Sequence, residues 1–386
     1  MRLNVSKDEM QEKLSNIQNI VEKKNTMPIL SHFLLDVGKK GSYIVATDLE
    51  TALKEPVEMK VEEEGKLCIP ARKLFEIVRE MDGDLLLESV DESPPGGGWL
   101  KVKAGTSEFR LACLPANDFP AWPAMEDVEE ITVDATVLME MIERTIYSAG
   151  ESDTRYTLNG LLFHTQPKDK VLTIVGTDGH RLAVIMKQME GEGKDEKKII
   201  VPRKAVSELR RFLNRETEKT KILIGKNHLL FSLGSSASDG SGGGEVQFLT
   251  RLIEGTYPNY ENVVPPANEK KVSVSREAFT KALRRVSVMS RERANAVRFD
   301  FGESASGGNL VISSSNPDLG EAREEVAVDY KGDNLSVGFN ARYLIEAMGA
   351  MMAERVVLEL QDPLSPVLVK EEGREDYRCV VMPMRI

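Results

Sequence analysis

The chain has 386 residues, 41% hydrophobic and 29% charged, with a formal net charge of -11. At roughly 100–200 residues per domain that length predicts more than one domain, and the balance excludes a collagen-like, mucin-like or wholly disordered chain. The acidic total weighs against a simple basic nucleic-acid-binding module, although it says nothing about where the charges lie.

The opening residues Met1-Arg2-Leu3-Asn4-Val5-Ser6-Lys7 lack the apolar run of a signal peptide, and no stretch of apolar residues is long enough to span a bilayer. A soluble, cytoplasmic protein is expected. Cys68, Cys113 and Cys379 form an odd, widely spaced set without Cys-x-x-Cys, which predicts neither a disulfide framework nor a zinc site.

Taken in chain order, the predicted elements repeat. A helix follows Val5-Ser6-Lys7-Asp8, and the same signature opens helical patterns at Val133-Asp134-Ala135-Thr136 and Val274-Ser275-Arg276-Glu277, with Asp134 and Ser275 as N-caps. Next come strands that end in a polar turn: Ile44-Val45-Ala46-Thr47-Asp48, Ile174-Val175-Gly176-Thr177-Asp178 and Val311-Ile312-Ser313-Ser314-Ser315-Asn316. A third landmark is an apolar strand, a break and an amphipathic helix, at Cys68-Ile69-Pro70-Ala71-Arg72, Ile200-Val201-Pro202-Arg203-Lys204 and, more faintly, Val337-Gly338-Phe339-Asn340-Ala341. Val206, Leu209 and Leu213 carry the apolar spacing of the second of these helices. Each series closes on a strand: Glu108-Phe109-Arg110-Leu111, Val246-Gln247-Phe248-Leu249 and Asp376-Tyr377-Arg378-Cys379.

Four landmarks in the same order three times, at a period of about 130–140 residues, predict three copies of one α+β unit; the period is far too long for a solenoid. Boundaries fall at the Pro-rich stretches Phe119-Pro120-Ala121-Trp122-Pro123 and Tyr257-Pro258-Asn259-Tyr260, giving domains 1–124, 125–259 and 260–386. Runs such as Leu161-Leu162-Phe163-His164 and Lys221-Ile222-Leu223-Ile224 predict antiparallel sheet. The Gly- and Ser-rich stretches 93–98, 234–244 and 302–308 contain no Gly-Lys-Ser or Gly-Lys-Thr and sit between strands, so they read as hairpin loops rather than phosphate cradles.

Each third of the chain carries a small acidic excess, yet two helices are locally basic. Arg203, Lys204, Arg210, Arg211 and Arg215 face only Glu208, and Arg276, Lys281, Arg284, Arg285, Arg291 and Arg293 outnumber Glu277 and Glu292. On the latter helix Ala278, Phe279, Ala282, Leu283 and Val286 form the expected apolar stripe, which turns Lys281 and Arg284 outward.

Thr177-Asp178-Gly179-His180-Arg181 invites a general-base or metal reading. Its counterpart Thr47-Asp48-Leu49-Glu50 carries no histidine, and Asp-Gly between apolar runs is a hairpin signal. His32, His164 and His228 are scattered singly, and no Gly-x-Ser-x-Gly elbow, dinucleotide fingerprint or paired-carboxylate motif occurs. A binding or scaffold role is therefore expected ahead of catalysis, with no cofactor and no metal.

The threefold repeat, Thr177-Asp178-Gly179-His180-Arg181-Leu182, Val201-Pro202-Arg203-Lys204 and the C-terminal Val380-Val381-Met382-Pro383-Met384-Arg385-Ile386 together resemble the bacterial sliding-clamp family, the β subunits of DNA polymerase III. The similarity spans the whole chain. It implies an α+β DNA-clamp fold of three repeated domains, antiparallel sheets outside and helices inside, assembled as a ring-shaped head-to-tail homodimer. Such a ring holds duplex DNA by topology, without sequence specificity, and tethers the replicative polymerase, the clamp loader and repair polymerases through their short linear motifs, with no membrane partner. An acidic exterior with basic inner helices then agrees with the net charge.

By the same resemblance, Lys24, Arg72, Arg203, Lys204, Arg210 and Lys281 are the DNA-facing candidates. The family's partner-peptide pocket maps in one part to Leu158, Thr177, Gly179, His180, Arg181, Leu182, Pro258, Val263, Val380 and Met382. A neighbouring groove maps to Arg155, Asn340, Tyr343, Pro383, Met384 and Arg385. Apolar residues there accept aliphatic and aromatic anchors while polar groups at the rim fix direction. Phe109 and Leu111 are the expected partners of Val288 and Met289 across the dimer contact, with Glu321, Glu324 and Glu325 adding charge. Where relatives have two adjacent aromatics, this chain has Tyr156-Thr157. The competing functions are a DNA-independent homo-oligomeric scaffold and a hydrolase built on Asp178 and His180.

Overall fold

Asp134 and Ser275 cap their helices as the repeat predicts, and Ser6 does the same. Asp134 Oδ1 accepts from the Thr136 and Val137 amides at 2.9 and 3.2 Å, Ser275 from Ala278 at 3.4 Å and Ser6 from Glu9 at 3.2 Å, each satisfying amides that the first helical turn leaves open. The structure is a computed structural model that describes residues 1–21, 27–90, 98–191, 195–213, 217–235, 244–265, 268, 270–290, 295–304 and 307–385. Within it the capped helices are α1 (Lys7–Ile17), α3 (Ala135–Glu143) and α5 (Arg276–Ser287). The other three, α2 (Ala71–Glu80), α4 (Arg203–Leu209) and α6 (Ala341–Ala350), begin where apolar strands end at Pro70, Pro202 and Asn340.

Two helical expectations are corrected. α4 stops at Leu209, short of Leu213; the chain continues in tight turns in which the Arg211 and Phe212 amides bond the carbonyls three residues back, and these carry Leu213 into the core without helix. In α5 the buried residues are Phe279, Ala282, Leu283 and Val286, whereas Ala278 is exposed because helical spacing sets it in the row of Lys281 and Arg285.

All strand pairs are antiparallel, and the described residues form sheets of five, nine and twelve strands. The chain packs as two compact units that cut across the repeats: residues 1–138 with 190–194 and 207–252, and residues 139–189 with 195–206 and 253–386. In the first unit the closing strand Val246–Arg251 pairs with Thr51–Pro56, setting Phe248 opposite Leu53. In the second unit the closing strand Tyr377–Val381 pairs with Arg181–Gln188, setting Cys379 opposite Ala183. These two seams make sheets continuous from one repeat into the next. The third repeat departs in one respect: its single long strand Gly320–Tyr330 pairs with Gly307–Asn316 and then reaches Val272 and Ser273. The first repeat uses two strands, Thr51–Pro56 and Lys60–Glu63, for the same two pairings.

The 93–98 loop lies outside the described residues except for Gly98, as does 234–244 except for its ends. Much of 302–308 is ladder rather than loop, because Glu303 pairs with Gly308 and Ser304 with Gly307. The three cysteines are free and buried; burial pushes the thiols of Cys68 and Cys113 up to about 12 and that of Cys379 up to about 11. No helix among the described residues is long and apolar enough to cross a membrane.

Candidate functional site: an apolar cavity and a polar neighbour

The hairpin at Thr177–Arg181 is built by side chains bonding their own backbone. Thr177 Oγ1 donates to Arg181 O at 2.6 Å and accepts from Gly179 N at 3.0 Å. Asp178 Oδ1 accepts from the His180 and Arg181 amides at 2.9 and 3.1 Å. The turn at Thr47 repeats this net: Thr47 bonds Thr51 O and Leu49 N at 2.9 and 3.0 Å, and Asp48 accepts from Glu50 and Thr51 at 3.1 and 2.6 Å. Left-handed backbone falls at the same place in both, with φ 84° at Gly179 and 76° at Leu49. Asp178 Oδ2 holds Arg181 Nε at 3.0 Å, and the His180 ring lies nearly parallel to Tyr343, 17° between planes and 6.5 Å between centroids. Both Asp178 oxygens are thus used by the turn and by Arg181, and among the described residues no hydrogen bond joins that carboxylate to the His180 ring. Among the described residues no group of three His, Cys, Asp or Glu side chains is placed to hold a metal ion.

Against this hairpin lies an apolar cavity of about 170 Å³. Leu158, Leu182, Pro258, Val263, Val380 and Met382 supply its apolar wall, with Thr177, Gly179, Arg155 and Arg181 at the polar edge. Beneath it Leu158, Leu182, Val380, Tyr257 and Tyr260 belong to one buried cluster with Leu162, Val175 and Leu368. Met382 and Val263 are 38% exposed, and Tyr156 is 60% exposed. Pro383 interrupts the strand that ends at Val381, and Met384 returns to bond Gly338 O at 2.8 Å.

Arg181 joins this cavity to a second one. Its guanidinium pairs with Glu346, donates to Tyr147 O at 2.5 Å and lies 4.6 Å from the Tyr343 ring centroid. The second cavity, about 360 Å³, is lined by His180, Arg181 and Tyr343 together with Tyr147, Arg203, Arg342 and Glu346 among others. Burial and the charge of Asp178 push the Tyr343 phenol above its ordinary value.

Most of the expected pocket residues are thus brought together, in two groups that differ from the expected division. His180 faces the polar cavity rather than the apolar one, and Arg155 belongs to the apolar one. Asn340 caps α6, accepting from Arg342 N at 2.9 Å, and Arg385 is exposed at the chain's end. Arg203 donates to Ala149 O at 2.8 Å and pairs with Glu151 at 2.9 Å, so its guanidinium braces the polar cavity. Arg72, Lys204, Arg210 and Lys281 are exposed, and Lys281 pairs with Glu277; Lys24 lies outside the described residues. Phe109 is 41% and Val288 75% exposed, Leu111 is buried and Met289 half-buried.

Tyr260, Tyr147, Arg342 and Glu346 line these cavities without having been singled out. For Tyr260 the signal lay in the repeat, since Tyr257-Pro258-Asn259-Tyr260 matches Phe119-Pro120-Ala121-Trp122, whose Trp122 packs on Ala52, Leu230 and Leu249.

Residues 1–123, 132–259 and 261–385 match the N-terminal, central and C-terminal domains of the DNA polymerase III beta subunit. The beta sliding clamp of Pseudomonas putida is 35% identical, with all of both chains covered. The Escherichia coli beta sliding clamp is 31% identical over the same full coverage. Among solved structures, the Pseudomonas aeruginosa DNA polymerase III subunit beta is 34% identical, covers both chains entirely and superposes with a TM-score of 0.89. The sliding clamp of that organism bound to griselimycin is 33% identical, with the same coverage and TM-score. Matched in each of its three repeats and by whole-length relatives, the chain belongs to the DNA polymerase III beta subunit family, the beta sliding clamps.

Proposed function

We propose that two copies of this chain close head to tail into a ring around duplex DNA, and that the apolar cavity beside the Thr177–Arg181 hairpin receives the short motifs of the replicative polymerase, the clamp loader and repair polymerases. The protein is a non-catalytic processivity factor of DNA replication, working in the cytoplasm with the chromosome. Its domains run over 1–124, 125–259 and 260–386. Tethering acts through effective concentration: a polymerase tied to the ring rebinds the same primer end before it diffuses away.

The observation that carries the closure is a register written twice within the chain. The bridges Cys68 to Leu114, Ile200 to Ile253 and Gly338 to Met384 align the three closing strands, so Phe109, Phe248 and Cys379 are equivalent. Glu55 and Glu324 are equivalent too, each held by its repeat's first helix, through Asn16 of α1 at 3.0 Å and Arg285 of α5 at 2.8 Å. Leu53, Ala183 and Ala322 then correspond, and both internal seams pair the same two positions. Applied to the strands left over, Ser107–Ala112 and Gly320–Tyr330, that register sets Phe109 opposite Ala322 of a second copy, Arg110 opposite Glu321 and Glu108 opposite Arg323. Opposite charges meet at both flanking positions, and Phe109 and Leu111 come to the exposed end of α5 at Val288 and Met289.

Arg72, Arg203, Lys204, Arg210 and Lys281 are the DNA-facing residues in this reading, Arg203 the most constrained of them because Ala149 and Glu151 hold its guanidinium, with Lys24 added from its position in the sequence. Weak, sequence-independent phosphate contacts suit a ring that must slide. The test is loading onto nicked circular DNA by a compatible clamp loader with ATP, then linearisation and gel filtration in moderately high salt. Co-elution with the circle and loss from the linear form is expected. Equal retention on both forms, or none on the circle, would return the chain to a DNA-independent scaffold.

A further inference from the structure

His164 sits in the strand Gly160–Gln166 with 1% of its surface exposed, and both ring nitrogens are engaged. Nδ1 is 2.8 Å from the Tyr260 hydroxyl, and Nε2 is 2.7 Å from Glu196 Oε1. The partners assign the tautomer: a carboxylate accepts, so Nε2–H donates to Glu196, and Nδ1 is left to accept the Tyr260 O–H. The far end of this string is open to water, with the Glu196 side chain 56% exposed and 3.5 Å from Lys198. Its near end is the Tyr260 ring, which lines the apolar cavity. The two rings meet edge to face, 71° between planes and 6.0 Å between centroids.

We infer that Glu196 and His164 are positioning residues for partner binding, holding Tyr260 so that its ring serves as cavity wall while its hydroxyl is turned inward. This inference rests on the reading of the cavity as the partner pocket. A phenol can present a cavity with carbon or with oxygen, and an aliphatic anchor gains only from carbon. Without the bond to Nδ1, the His164 ring no longer fixes the tilt of the Tyr260 ring, and the cavity loses a wall set in place before the anchor arrives. Glu196 acts one step further out, by fixing which ring nitrogen carries the proton. Burial, followed by the charge of Glu261, pushes the Tyr260 phenol up to about 12, so the hydroxyl keeps its proton throughout the neutral range.

The experiment is a fluorescence-anisotropy titration of a labelled synthetic hexapeptide containing one leucine and one phenylalanine with the full chain, run for the parent and for Tyr260→Phe, His164→Leu, the double variant, His164→Asn and Glu196→Gln. Loss of one hydrogen bond at the wall is expected to weaken binding about 5- to 10-fold in Tyr260→Phe and in His164→Leu. The double variant is expected to bind no worse than either single one, because both remove the same contact. His164→Asn, which returns a polar atom near the position of Nδ1, recovers most of the loss. Additive losses, or Tyr260→Phe and His164→Leu variants that bind as the parent does, overturn the inference. Should His164→Leu fail to fold, Tyr260→Phe decides it and a parent-like affinity overturns it. Glu196→Gln, whose amide oxygen still accepts from Nε2–H, is expected to bind within about twofold of the parent. A parent chain that does not bind the peptide defeats the pocket reading itself.

Discussion

The guanidinium of Arg155 lies directly over the backbone of Gly179: a Cβ at that position would stand 2.5 Å from Arg155 Nη1. Arg155 is held there by Asp153, with Nη2 to Oδ2 at 2.8 Å, and by the carbonyl of Asp178 at 2.8 Å. Gly179→Ala therefore both displaces Arg155 from the cavity's edge and adds a side chain at φ 84°. A loss of about 1–2 kcal/mol is expected in a urea melt, with weaker binding of apolar peptides. Unchanged stability would mean the turn relaxes out of the left-handed region.

The paired hairpins predict matching losses from unmatched sequences. Asp178→Ala and Asp48→Ala each remove a carboxylate that accepts two backbone amides. Each should cost about 1–3 kcal/mol, and Asp178→Ala also takes from Arg181 its 3.0 Å partner. Denaturant midpoints of the two variants check this. A negligible loss at Asp48 would break the equivalence of the turns.

Acid should loosen the second unit through a cluster of charges beside its seam. Asp376 is held down to about 2, first by the hydrogen bond from Arg374 and then by Lys187. Glu140 is also lowered, since Arg374 and Lys187 outweigh the effect of its burial. Carboxylates depressed in the folded state stabilise it fully above their ordinary values near pH 4 and lose that contribution as pH falls toward about 2. Arg374→Met should be less stable than the parent at pH 7 and lose less between pH 5 and 2.5. Urea midpoints across that range test the difference, and parallel curves would show that Arg374 does not set the acid response.

The proposed register between copies is tested by exchanging charges. Arg110→Glu places like charges opposite Glu321 and should shift the dimer toward monomer in sedimentation at low micromolar concentration, by about tenfold in Kd or more. Combining it with Glu321→Arg should restore much of the association. Failure of the pair to rescue, with both single variants weak, would point to another register.

The sequence made the repeat legible because each landmark has a local cause: a capping side chain, an Asx turn, a proline at a strand end. Those causes placed Asp134, Ser275 and the Asp178 turn correctly. What escaped were features set by distant packing. Leu213 is buried, a fact consistent with the helical spacing, yet the chain reaches its place through turns. His180 and Arg155 were exchanged between cavities because that depends on which way a side chain leaves a turn, and periodicity does not encode it. Tyr260 was visible as a boundary residue, but its ring became cavity wall only once the strand carrying His164 lay against it.

The buried cysteines have a practical corollary. Thiol-reactive reagents attack the thiolate, and none of Cys68, Cys113 and Cys379 combines accessibility with a low enough pKa to supply one near pH 7. A cysteine introduced on an exposed strand can then be labelled with a maleimide dye in the otherwise unaltered chain, which makes subunit exchange and loading directly observable by fluorescence.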